Sequence, residues 1–137
     1  MKSLAVIVSG GNSNQFLQAL TLLMAAVHSG VKVRVLFRDE AVFRLRPSQI
    51  SVPEFSEAYN KDKAGLERRL KQHDLNDLHK LFRDIKASGD VRYFACSSSL
   101  AIGGISREEL VPEIDEVRSM AAFLMEEVAS ADKVLTF

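Results

Sequence analysis

The sequence has one cysteine, no tryptophan and three prolines among its 137 residues. A single thiol, Cys96, excludes an intrachain disulfide and any site built from several thiolates. An excess of one charge is missing too, because eighteen Lys and Arg balance eighteen Asp and Glu. A nucleic-acid binder that works by counterion release carries a basic excess, so nucleic acid is not an expected partner. Only seven glycines and no charge block argue against a disordered chain. No apolar run approaches the roughly 20 residues that cross a bilayer. Leu4 to Val8 is also too short for the core of a signal peptide. These absences lead to the expectation of a cytoplasmic protein without a membrane span.

What is present is 47% hydrophobic and 26% charged residues, a balance suited to one core. The expectation is a single α/β domain over residues 1–137. Leu4-Ala5-Val6-Ile7-Val8 is a continuous apolar run ending at Ser9-Gly10-Gly11-Asn12-Ser13, which reads as a strand buried on both faces. Phe16, Leu20, Leu23, Met24 and Val27 then share a helical stripe that stops at Gly30. Val31 to Phe37 reads as a second strand, completing a right-handed βαβ unit. Residues 38–60 read as a surface loop with one helical turn at Ala41 to Leu45, and are a candidate for contacts between subunits. Lys63 to Lys86 is helical, with a break near His73-Asp74. Val91 to Ala95 is a third strand, Ile114 to Val117 a short fourth, Met120 to Val128 a helix and Lys133 to Phe137 a closing strand. Ser106 and Glu109 have the spacing of a capping box.

Alternating strands and helices predict a three-layer α/β/α sandwich around a mostly parallel five-stranded sheet. The order 2-1-3-4-5 is the natural expectation for such a chain. It places the ends of the first and third strands side by side, bringing Ser9-Gly10-Gly11 next to Cys96.

Cys96 ends a strand and precedes a helical turn that opens with Ser97-Ser98-Ser99. The free N–H groups of such a turn favour an anion and hold a thiol below its unperturbed pKa of about 8.5. At that unperturbed value only about 3% of the thiol is ionised at pH 7. A free cysteine that simply packs in the core is the competing reading. Arg38, Arg44 and Arg46, just after the second strand, could add positive potential or be ordinary surface cations. Position six after the cysteine is Ile102 rather than the Arg of a phosphatase loop, and Ser99 stands where a thioredoxin-like pair needs its second Cys. His28, His73 and His79 read as surface or helix-end residues, and one Cys without clustered His makes no zinc site. No metal and no cofactor are expected. Persulfide transfer remains compatible, since it needs one nucleophilic thiol and access for a partner's thiol. Ser9, Gly10, Gly11 and Asn12 are the expected wall of the thiol pocket, with Ser97, Ser98, Ser99 and Arg38 completing it. The same glycine loop could instead cradle a phosphate, although it is neither Gly-x-Gly-x-x-Gly nor a Walker sequence.

Two stretches resemble a known family. One runs through Ala25-Ala26-Val27-His28-Ser29-Gly30-Val31-Lys32-Val33 and Leu36-Phe37 to Glu40-Ala41-Val42. The more specific one is Phe94-Ala95-Cys96-Ser97-Ser98-Ser99-Leu100-Ala101-Ile102-Gly103-Gly104-Ile105, continuing to Leu110. Ala131 to Phe137 adds a closing strand. Together they resemble the DsrE/DsrF/DsrH-like proteins of sulfur metabolism. The resemblance implies a sulfur carrier or sulfurtransferase-like protein bearing a persulfide or thiosulfonate on Cys96. It further implies a homo-oligomer, trimeric or hexameric, that exchanges sulfur with small TusA-like proteins. The Met and Asp that commonly follow the family's cysteine are replaced here by Ser98, Leu100, Ala101 and Gly103. The alternative expectation is a non-catalytic module of the same fold that binds a small anion or nucleotide, or serves in assembly.

Overall fold

A computed structural model describes all of residues 1–137. Five strands form one sheet, β1 (Ser3–Val8), β2 (Lys32–Phe37), β3 (Val91–Cys96), β4 (Glu116–Arg118) and β5 (Lys133–Thr136). Six α-helices accompany them: α1 (Ser13–His28), α2 (Ala41–Arg44), α3 (Lys63–Gln72), α4 (Leu78–Ala87), α5 (Ser97–Gly103) and α6 (Met120–Phe123). The last runs on as a π-helical turn over Leu124–Val128. No helix is long and apolar enough to cross a membrane.

Every pairing in the sheet is parallel, and the order is β4-β3-β2-β1-β5. The expected order 2-1-3-4-5 is therefore corrected. The chain steps in one direction from β1 to β4, and only the last crossover returns to the far side of β1. The burial of β2 explains this arrangement. Val35, Leu36 and Phe37 are all fully buried, so consecutive residues pack on opposite faces, as a central strand requires and an edge strand does not. β2 thus lies between β1 and β3, whose ends are two strand spacings apart, roughly 10 Å.

The two faces of the sheet are covered unequally. Inward residues of α1 and α4, among them Phe16, Leu20, Leu23, Phe82 and Ile85, pack with Val6, Val35, Phe37 and Tyr93 in the main core. Phe82 and Tyr93 stack with ring centroids 3.9 Å apart, and Phe37 meets both edge-on. The other face holds a five-residue cluster of Ala5, Leu36, Phe94, Cys96 and Phe123. Its cover comes from α6 and the π turn, because the right-handed return crossover must pass on the face opposite the first three. The predicted break at His73-Asp74 is real: α3 ends at Gln72, and Asp74 takes a positive φ of 57°. The fourth strand starts two residues later than its apolar run suggested, because Asp115 turns to receive the Tyr93 N–H on its carboxylate.

Candidate functional site

Cys96 is the last residue of β3 and the N-cap position of α5. The pleat of β3 sends Tyr93 and Ala95 into the main core and Phe94 and Cys96 to the α6 face. The Ser98 hydroxyl lies 3.3 Å from the sulfur, within hydrogen-bond reach. Burial pushes the thiol up. The Ser98 and Ser99 hydroxyls and their backbone N–H groups pull it down by more, so it sits below its ordinary value. The downward pull comes from hydrogen bonding within the first turn of α5.

The sulfur is closed in, as the competing reading of a packed cysteine has it. Cys96 is only 1% exposed, although Ser97 and Ser98 beside it are open to solvent. None of the four principal cavities is lined by Cys96. Phe123 of α6, fully buried, belongs to the same packed cluster and sets its ring 5.9 Å from Phe94. Arg118 stands in register with Cys96 on the neighbouring strand. Its guanidinium lies over the Phe94 ring at 4.1 Å and reaches Glu127 at 2.9 Å, Glu126 at 3.1 Å and Glu116 at 2.6 Å. Arg118 therefore ties the π turn to the sheet beside the thiol. Arg92, on the same face, holds the other Glu116 oxygen at 2.9 Å. The only sequence hint of this network was the run of acids at Glu126-Glu127 opposite Arg118.

The predicted pocket residues divide between two places. Ser97, Ser98 and Ser99 open α5 directly after Cys96, and Ser98 and Ser99 act on the sulfur. The Ser99 hydroxyl also accepts the Asp39 N–H at 2.8 Å, joining α5 to the end of β2. Ser9, Gly10, Gly11 and Asn12 follow β1 on the far side of β2. The Ser9 N–H donates to the Phe137 carbonyl at 2.8 Å, and the Asn12 side chain caps α1 by accepting the Gln15 N–H. The Ser13 N–H donates to the Glu54 carbonyl at 2.7 Å. Gly11 fits tightly: a Cβ there would lie 2.7 Å from the Glu40 Cβ and 2.8 Å from the Glu40 carbonyl oxygen. The loop is thus packed against its own chain, and the N–H groups of Ser9 and Ser13 are already bonded. Arg38 is exposed, and its backbone N–H donates to Val8.

Arg44, weighed as a surface cation, is instead buried with 3% exposure. Its guanidinium donates to the carbonyls of Gly11, Gln49 and Val52 and to the Ser13 hydroxyl, all within 3.0 Å. Burial holds it below the ordinary arginine value, partly offset by Glu54. The segment after α2 is therefore bound into its own domain through Arg44 and Ser13. His28 and His73 are exposed, as expected, and His79 pairs with the half-buried Glu113 at 2.8 Å. No group of three or more His, Cys, Asp or Glu is arranged to hold a metal.

Residues 2–137 match the family model described as the DsrE/DsrF-like family. Among solved structures, the fold is similar to that of a protein of unknown function from Methanobacterium thermoautotrophicum. The two sequences are 16% identical, the match covers 98% of this chain and 99% of that one, and the TM-score is 0.61. No curated protein matches the sequence.

Proposed function

The chain belongs to the DsrE/DsrF-like family, and from that premise we propose that it is a sulfur carrier that holds sulfane sulfur on Cys96. One observation carries the reading: hydrogen bonds from the first turn of α5 hold the Cys96 sulfur below the ordinary thiol value. The same amides and hydroxyls suit the terminal sulfur of a persulfide, which is also an anion. In loading, the Cys96 thiolate attacks the outer sulfur of a polysulfide. One S–S bond forms and one breaks, and the shortened polysulfide leaves with its two negative charges. In unloading, an acceptor thiolate attacks the outer sulfur of the persulfide, and Cys96 departs as thiolate. A leaving thiol of low pKa speeds that second step. No net oxidation occurs in either step, and no second cysteine is required.

The reading includes a cytoplasmic setting, a homo-oligomer and a small TusA-like thiol protein as the exchange partner. Ser97, Ser98 and Ser99 stabilise the anion directly, while Ser9 to Asn12 and Arg38 belong to the same edge of the sheet. The test is cyanolysis. After polysulfide treatment and desalting, cyanide should release thiocyanate from the wild-type protein and none from Cys96→Ser. Equal release from both proteins would move the sulfur off this residue.

A further inference from the structure

A cavity of about 290 Å³ opens between α1, α3 and the chain at residues 51–55. Leu17, Pro53, Phe55, Leu70, Leu75 and Leu78 give it apolar walls, and Cys96 is not among its lining residues. That volume is at the small end for ligand pockets and suits a compact molecule rather than a nucleotide.

Two opposite charges stand at this cavity without partners. Glu67 is half-buried and Lys71 exposed; both line the cavity, four residues apart on α3. A Glu placed four residues before a Lys is the favoured order for a helical ion pair. Lys80 and Asp84, at the same spacing on α4, do close to 2.7 Å. Glu67 and Lys71 form no such pair, and neither side chain has a hydrogen-bond partner elsewhere in the chain. Helix α3 is also loosely held: Gly65 is its only buried residue, whereas α4 buries Leu78, Phe82 and Ile85. An occupant bridging α1 and α3 would complete that packing.

We propose that this cavity binds a free apolar α-amino acid, with its ammonium on Glu67, its carboxylate on Lys71 and its side chain among the apolar walls. An α-amino acid carries both charges on one carbon. The Cβ atoms of residues four apart on a helix stand about 5–6 Å from one another, which lets the two side chains flank such a head group. The site is independent of the sulfur chemistry at Cys96.

Calorimetric titration of the intact protein with L-phenylalanine, 2-phenylethylamine and 3-phenylpropanoate tests the assignment. L-Phenylalanine should saturate one site, and each of the singly charged probes should bind roughly tenfold or more weakly, since each lacks one charged contact. Glu67→Gln and Lys71→Gln should each weaken L-phenylalanine binding by a similar factor, with unliganded melting temperatures unchanged. Cys96→Ser should bind as the wild type does, which separates this site from the sulfur-carrying one. Absence of saturation at millimolar L-phenylalanine would overturn the proposal. So would unchanged affinity in both charge variants, or self-association that Glu67→Gln abolishes in place of amino-acid binding.

Discussion

The Ser98 hydroxyl lies 3.3 Å from the Cys96 sulfur, two residues further along the chain at the start of α5. That contact belongs to the set of hydrogen bonds that outweighs burial and holds the thiol low. Ser98→Ala should therefore move the midpoint of pH-dependent alkylation upward. Ser98 is exposed, so the fold should be retained. The sign of the linked stability follows from the shift. A folded-state thiol below its unfolded value stabilises the fold above the unfolded pKa, and that contribution is lost as pH falls through the folded value. The melting-temperature gap between wild type and Ser98→Ala should be wider at pH 9.5 than at pH 6, with both limits set around the free thiol value of about 8.5. An equal gap at both pH values would remove the thiolate from the explanation.

Access to the sulfur depends on the cover formed by α6 and the π turn. Arg118→Gln breaks the ties to Glu126 and Glu127 and should raise the alkylation rate of Cys96 about fivefold. That is the factor corresponding to roughly 1 kcal/mol of ion-pair stabilisation. Phe123→Ala, which empties a fully buried position, should raise the rate further and lower stability by about 3 kcal/mol or more. Alkylation rates unchanged in both variants would show that the reagent enters by another route.

Arg44 braces the glycine loop and the segment that follows α2. Arg44→Ala leaves the Gly11 carbonyl without a donor and takes one of two donors from each of the Gln49 and Val52 carbonyls, which keep the Val52 N–H and the Ser13 hydroxyl. The expected loss is about 3 kcal/mol in urea unfolding, with new protease cleavage between Gln49 and Ser56. A variant as stable and as resistant as the wild type would contradict the brace.

At the opposite end of the sheet, the Asp132 carboxylate accepts the Lys2 N–H at 2.6 Å and the Ser3 N–H at 3.1 Å. These bonds hold its carboxyl below the usual aspartate value. The contribution is present above the unfolded aspartate pKa and disappears as pH falls through the folded one. Asp132→Asn should lower the melting temperature at neutral pH and leave it nearly unchanged in strong acid. A constant difference across that range would exclude the carboxylate as the cause.

Strands, helices and the break in the middle of the helical stretch were legible because each follows from local pattern: apolar runs, a 3.6-residue stripe, a glycine stop. The contact of Cys96 with Ser98 was legible for the same reason, since a strand end followed by Ser97-Ser98-Ser99 presents its own donors, whereas placing Ser9 to Asn12 beside it depended on the strand order. Strand order is a long-range property, and the residues that decide it, Val35-Leu36-Phe37, look like an ordinary buried strand until its neighbours are known. The burial of Arg44 and Phe123 was not legible, because burial depends on what folds over a residue. Nothing in Ala41-Val42-Phe43-Arg44 distinguishes an interior guanidinium from a surface one. The closing of the thiol by α6 is likewise a consequence of the last crossover passing across the sheet.

The most direct test of sulfur carriage is the intact mass of the protein after exposure to polysulfide and removal of excess reagent. Wild type should gain the mass of one or more sulfur atoms, lose it again to dithiothreitol, and show no gain when Cys96 is replaced by Ser. A folded wild-type protein whose mass stays that of the bare thiol, under conditions in which a small free thiol is converted, would contradict the account.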